Sequence, residues 1–336
     1  MSWKPEVEGI EHQKELAQDH GGQDAVAKQH DMGRLTIRER IDSLLDDGSF
    51  REQGPIAGHA ERDAAGKLEH FTPANYVLGM GKIDGRPVVV GGEDFTQRGG
   101  SPSPAGLHKS VFAEDMACQY KVPLVRFLQG GGGSVAGTAG KSGSAPRHSG
   151  GPVYAPHRFL SVARAMATAP VASAALGAVA GLPAARLVSS HFSLMTRGSQ
   201  VLVAGPAVVE RAVGEQLDKE ALGGVAVHGK SGVVDAVVED ERAACDAIRR
   251  FLSYLPTNVW EAAPRGPRDD PRERCEEALL EIVPRNRRRG CATSSIAIPS
   301  SNSAAVTRAR TSRRWPAWTV GPSASGPMTR ASTPAP

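Results

Sequence analysis

The residues best placed to do chemistry lie in one stretch, "GGGGSVAGTAGKSGS" at positions 130–144. Its end, Gly140-Lys141-Ser142, matches the close of a phosphate-binding P-loop, in which a further glycine lets successive backbone N–H groups curl around a phosphate. That glycine belongs at the position held here by Val135, whose side chain occupies the space that close backbone approach requires. The nucleotide reading is therefore disfavoured. The run Gly130 to Gly133 is a different matter, because "KVPLVRFLQ" (121–129) directly before it is short, apolar and rich in β-branched residues. It reads as a buried strand, and a strand running straight into glycines delivers backbone to a ligand. A flexible connection is the plainer reading of any Gly/Ser-rich stretch. Other reactive types are less promising. His148, His157 and His191 lack metal-ligand spacing, so no metal is expected, and Ser142 and Ser144 have no neighbour that activates a hydroxyl. Cys118, Cys245, Cys275 and Cys291 form no C-x-x-C pair, which disfavours a zinc ribbon or a disulfide framework and points to a reducing, cytoplasmic location.

Elements on both sides must hold this loop. "GRLTIRERIDSLLDDGSF" (33–50) predicts a helix with Thr36 as N-cap, Glu39 completing a capping box, Ile41, Leu44 and Leu45 as the apolar stripe, and Gly48 at its end. "YVLGMGKIDGRPVVVGGEDFT" (76–96) reads as a β-hairpin turning at Asp84-Gly85. A Gly/Pro loop then feeds a helix that leads into the strand at 121–129. Residues 158–169 are helical, and 170–196 hold a buried strand, a second glycine turn at 177–181 and another strand near 192–195. "VLVAGPAVVERAV" (201–213) is strand then helix. Helix and strand alternate from 75 to 255, so the class is α/β.

The 336 residues allow one large or two ordinary domains, and 40% hydrophobic content suffices for a core. The net charge of +4 is misleading: nine arginines follow the last acid, Glu281, and without them residues 1–281 carry −5. No nucleic-acid partner is expected from so mildly acidic a body. Residues 165–185 are uncharged but Ala/Gly-rich and broken by Pro170 and Pro183, which favours a buried helix and loop over a membrane span. The start, "MSWKPEVEG", shows no secretory pattern.

The order and wording of five motifs resemble the carboxyltransferase (beta) subunit of biotin-dependent acyl-CoA carboxylases, of the propionyl-CoA, methylcrotonyl-CoA and acetyl-CoA carboxylase type. The motifs are "GRLTIRERIDSLLDDGSF", "IDGRPVVVGGEDFTQRGGS" with Lys109 following, "VPLVRFLQGGGG", "LVAGPAVVERAVGEQLDKEALGG" and "AIRRFLSYLPTN", running from Gly33 to Asn258. The resemblance implies a crotonase-like fold of repeated β-β-α units. It also implies acyl-CoA as substrate, carboxybiotin carried by a partner biotin carboxylase/carrier subunit and not by this chain, and assembly into a homo-oligomer. Proton abstraction next to a thioester makes an enolate whose oxygen needs aimed donors; in this family the biotin nitrogen takes the proton, so no side-chain base is implied. The family's Ser-Gly-Gly-Ala-Arg loop matches Gly130 to Ser134, which implies catalytic N–H donors at Gly131 and Gly132 and a substrate contact at Gly133. Gly99 and Gly100 match the family's Gly-Gly-Ser and imply a contact near CoA, with a plain loop as the alternative. The family's Cys-Ala-Gly-Gly-Ala is replaced here by Val179 to Pro183. Pro183 donates no N–H, while Gly181 and Leu182 remain as substrate-binding candidates, with Leu182 narrowing the acyl pocket and a tight turn that packs two layers as the alternative. Lys141 and Arg147 could meet a CoA phosphate or simply be solvated.

The expected organisation is an N-terminal helical segment (1–32), an acyl-CoA carboxyltransferase N-terminal domain (33–262), a linker with the start of a lost second domain (263–290), and a disordered tail (291–336). The tail has no acids and is rich in Ser, Arg, Pro, Ala and Thr. Codons for the tail, chosen within degeneracy and read two bases displaced, spell "RHIVDRDSFFELGRGY", which echoes "RERIDSLLDDGSFREQG" at 38–54; a frameshift at residue 290 is the expectation. A chain missing the biotin-binding domain is expected to bind acyl-CoA with impaired transfer. The alternatives are a non-catalytic truncated subunit or pseudoenzyme scaffold, and a crotonase-type enoyl-CoA hydratase or isomerase. The last typically places carboxylates at the acyl carbon, and no Glu or Asp adjoins either glycine turn in the sequence.

Overall fold

Helices α1 (Lys4–Leu16) and α2 (Gln23–Asp31) open the chain in the computed structural model, which describes residues 2–64, 66, 68–131 and 158–264. All of these fall within one compact unit, 1–279. Helix α3 (Ile37–Leu44) begins as its sequence dictates: the Thr36 hydroxyl accepts from the Glu39 N–H and the Glu39 carboxylate accepts from the Thr36 N–H, so two end donors are satisfied at once. The helix ends at Leu44, before Gly48, because Leu45 turns extended to keep its side chain in the core.

Strand β1 (Arg51–Glu52) and the solvent-facing pair β2 (Gly58–Arg62) and β3 (Leu68–Pro73) precede the hairpin of β4 (Tyr76–Ile83) and β5 (Arg86–Glu93). Its turn, Asp84-Gly85, takes φ 50° and 76°, the left-handed pair that a tight hairpin needs. There follow α4 (Pro104–Tyr120), β6 (Leu124–Gly130), α5 (Arg158–Thr168), β7 (Val171–Ala180), α6 (Leu182–Val188), β8 (Phe192–Thr196) and β9 (Gln200–Leu202). The series closes with α7 (Pro206–Val213), α8 (Lys219–Gly223), α9 (Val225–Ser231), β10 (Ala236–Val238) and α10 (Glu241–Ser253). Gly177 lies inside β7 and not in a turn, which begins only at Gly181. A side chain at 177 would press on Gln129 at 3.0 Å, so the strand keeps glycine there for packing.

Among the described residues the main sheet runs β1-β4-β5-β6-β7-β8-β10, with β9 also paired to β7. It is antiparallel through β1, β4 and β5 and parallel from β5 onward. Alternation splits the strand residues between two layers. Val88, Val90, Val125 and Phe127 pack against Ile37, Ile41 and Leu44 of α3 and Ala244, Ile248 and Leu252 of α10. Val89 and Leu124 face the other way, onto Ala113, Met116 and Ala117 of α4 and Ala165 of α5. A third cluster joins Leu128, Ala175 and Val179 to Ala184 and Leu187 of α6. Arg40 ties α3 to α10 through two bonds to Glu241, of 2.9 and 2.6 Å. Among the described residues no helix is long and apolar enough to cross a membrane. Residues from 265 on, including the tail, lie outside those described.

Candidate functional site

The two glycine turns are neighbours because the strands that feed them are. Strands β6 and β7 pair in parallel, with Gly130 opposite Val179, so Gly131 and Gly181 emerge side by side at the carboxyl edge of the sheet, where open parallel sheets bind ligands. Three contacts hold the stem of the first loop. The Gln129 side chain exchanges hydrogen bonds of 2.9 and 3.4 Å with Gln29 of α2, and the Gln129 backbone N–H donates to Glu93 Oε2 at 3.3 Å. Behind it, Gly100 and Gly130 meet backbone to backbone. A Cβ on Gly100 would lie 2.3 Å from the Gln129 carbonyl oxygen, and one on Gly130 would lie 2.5 Å from the Gly100 oxygen. Gly100 also has φ +67°, so two separate reasons exclude a side chain there. Gly99 (φ +61°) looks into open space, with the Phe95 ring 4.0 Å from a would-be Cβ.

Gly131 is the last described residue of the loop, and among the described residues only Ser101 Oγ, at 3.9 Å, approaches the place of a Cβ. Gly132 and Gly133 lie outside the described residues, as do Lys141, Ser142, Ser144, Arg147, His148 and His157. At the second turn Gly181 takes φ 65° and its N–H donates to Leu202 O at 3.2 Å, which commits that donor to β9. The N–H of Leu182, first residue of α6, is one that the helix itself does not use. Leu182 and Gly100 line one small pocket together with Asn75, Tyr76, Glu93 and Arg186, so two expected contacts, Gly100 and Leu182, meet in it. Gly99 and Gly181 are not among its lining residues.

Sequence reasoning missed the charged side of this pocket. No acid is adjacent to either turn along the chain, yet Glu93 reaches the first loop in space, and that correction removes one ground for setting aside acid–base chemistry. Glu93 is 5% exposed, and burial pushes its carboxyl up to about 7, against the pull of Arg186, the Gln129 N–H and Arg126. Burial likewise raises the Tyr76 hydroxyl, with Glu93 adding to the effect. Beside them Glu114 accepts from Arg126 Nη2 at 3.0 Å and Arg186 Nε at 2.9 Å, and from the Ser161 hydroxyl. Arg186 Nη2 has no hydrogen-bond partner among the described residues. The available signal was a charge flanked by apolar strand residues, as at Arg126 within "PLVRFLQ" and Glu93 at the end of "RPVVVGGE". His191 is structural: its Nδ1 accepts the Val171 N–H at 3.0 Å, and burial lowers its pKa. Among the described residues no cluster of His, Cys, Asp and Glu could hold a metal.

Comparison with known proteins places this geometry. The carboxyl transferase domain model matches residues 28–297. The propionyl-CoA carboxylase carboxyltransferase subunit of Haloferax mediterranei is 33% identical over 287 residues, covering 84% of this chain and 54% of the relative. The propionyl-CoA carboxylase beta chain of Roseobacter denitrificans is 34% identical over 285 residues, covering 83% and 53%. The chain thus spans about half the length of the curated relatives it matches. Among solved structures, the transcarboxylase 12S hexamer with methylmalonyl-coenzyme A and methylmalonic acid bound superposes with TM-score 0.67 at 28% identity, covering 84% of this chain and 54% of that one. The α/β architecture is the crotonase-like fold of the carboxyltransferases, and the chain belongs to the carboxyl transferase domain family.

Proposed function

We propose that this chain supplies the acyl-CoA side of a carboxyltransferase site, holding the thioester at the paired glycine turns and stabilising its enolate with backbone N–H groups. The observation that carries the reading is the register of β6 on β7, which sets Gly130 opposite Val179 and so brings the two turns together. Gly131 and Gly132 are assigned as donors of the first turn. At the second, Leu182 N–H takes the role, because Gly181 N–H is held by Leu202 and Pro183 has none. Such donors are already oriented before reaction, so they stabilise developing charge without reorganising. The Leu182 side chain limits the acyl pocket, and Gly99 is assigned to the approach of CoA.

Biotin, on a partner carrier, supplies the activated carboxyl group; no contact with it is assigned to the described residues here. Residues 1–336 should bind acyl-CoA, and a homo-oligomer and a biotin carboxylase/carrier partner complete the working assembly. Calorimetric titration with propionyl-CoA tests the reading, with Gly131→Ala as the probe. Among the described residues only Ser101 Oγ, at 3.9 Å, nears an added Cβ, and the reading requires unchanged thermal unfolding with binding weakened about three- to tenfold, the loss expected when one hydrogen bond is displaced. Wild-type affinity in the variant would sink the assignment.

A further inference from the structure

The last pair of the β5–β6 ladder is Gly92 with Phe127, and the β6–β7 register slips between Leu128 and Gly130. Gln129 therefore sits at an irregularity between two ladders, the kind of place where a strand re-aims its backbone beside a site. Its N–H is taken by a side chain, Glu93 Oε2 at 3.3 Å. Tyr76 from β4, Arg126 from β6 and Arg186 from α6 act on Glu93, and Glu114 from α4 stands behind them, paired with both arginines. The adjacent Asp94 is occupied elsewhere, by His20 Nδ1 at 2.9 Å and by Thr96. Two arginines share Glu114, which leaves one positive charge in excess in a buried cluster, and Arg186 Nη2 is without a partner among the described residues. An ionised Glu93 balances that charge.

Resting on the acyl-CoA reading above, we propose that Glu93 is the positioning residue of the stem Gln129-Gly130-Gly131, gripping the Gln129 backbone N–H so that acyl-CoA affinity depends on whether this carboxyl is ionised. Ionised, it is a charged acceptor aimed at one N–H; protonated, it is a weaker acceptor and leaves the Arg126–Arg186 pair uncompensated. Since burial brings its titration to about 7, the change falls across the neutral range, with tighter binding on the alkaline side.

The test is titration of the full chain with propionyl-CoA at pH 6 and pH 8, for wild type and Glu93→Gln. Glutamine keeps the shape and an acceptor oxygen but has no charge to lose. Phosphates of the coenzyme titrate alike against both proteins, so the readout is the difference between the two profiles. A charged acceptor exceeds a neutral one by enough to make wild type lose about fivefold more affinity than the variant on going from pH 8 to pH 6. Parallel profiles overturn the proposal. Absence of propionyl-CoA binding at every pH counts against the acyl-CoA reading instead, and the positioning role is then decided by the Gln129 amide resonance. That resonance should move with a midpoint near 7 in wild type and stay still in Glu93→Gln; a still resonance in wild type overturns the role.

Discussion

Replacing Gly100 by alanine separates the two demands that the loop stem makes on its neighbour. A left-handed residue costs about 1–2 kcal/mol for any L side chain, and Gly100 has φ +67°. The new Cβ also lands 2.3 Å from the Gln129 oxygen and 2.7 Å from Gly130 Cα, both backbone atoms that cannot swing away. Overpacking of that kind adds about 1–3 kcal/mol. The total, about 2–5 kcal/mol, lowers Tm by about 5–15 °C for a domain of this size. Gly99→Ala is the control: it carries the same backbone strain at φ +61° with no atom closer than 4.0 Å, so it should lose only the first part. Thermal unfolding followed by circular dichroism measures both, and propionyl-CoA titration reports whether the displaced Gln129 carries the loop with it. If Gly100→Ala melts within about 2 °C of Gly99→Ala, the close approach of the two backbones does not contribute and the account of the stem is wrong.

Glu93 should also leave a mark on stability. Its carboxyl holds its proton more tightly folded, at about 7, than unfolded, so the folded state binds more protons between the two values and stability falls as pH rises through that window. Glu93→Gln removes the penalty; urea unfolding should show a gain on the order of 3 kcal/mol at pH 8 and almost none at pH 4, and an equal gain at both would contradict the assignment. Arg40→Ala strands the Glu241 carboxylate, and about 3–5 kcal/mol should be lost on denaturant unfolding, with much of it recovered when Glu241→Leu is combined with Arg40→Met. A loss below about 1 kcal/mol would mean that the pair is already solvated.

What could be read from the chain was local. The Thr36 and Glu39 box, the Asp84-Gly85 turn, the strand before Gly130 and the helix after Pro206 each follow from residues within a few positions of one another, and the structure has them where they were expected. The glycine signal misled at Gly177, where it marks a strand residue crowded by Gln129 and not a turn. Gly100 could be proposed as a site residue, but its partner could not, since the contact with Gly130 exists only once β5, α4 and β6 are stacked. Glu93 was invisible as a site residue for the same reason. Its hydrogen-bond partner is distant in sequence, and a charge at the end of an apolar strand marks burial without saying what it meets. Arg126, Glu114 and Arg186 come from a strand and two helices, and only burial makes them one cluster.

The back-to-back glycines at 100 and 130 have a consequence for how such chains can vary. Neither position can accept even a methyl group without moving the other, and a second change cannot compensate the first, because both sides of the contact are already main chain. The pair therefore admits no stepwise route to a different solution. It works as a two-letter lock on the spacing between the segment after β5 and the mouth of β6, and a variant library built on this scaffold will tolerate diversity on either side of the seam sooner than on it.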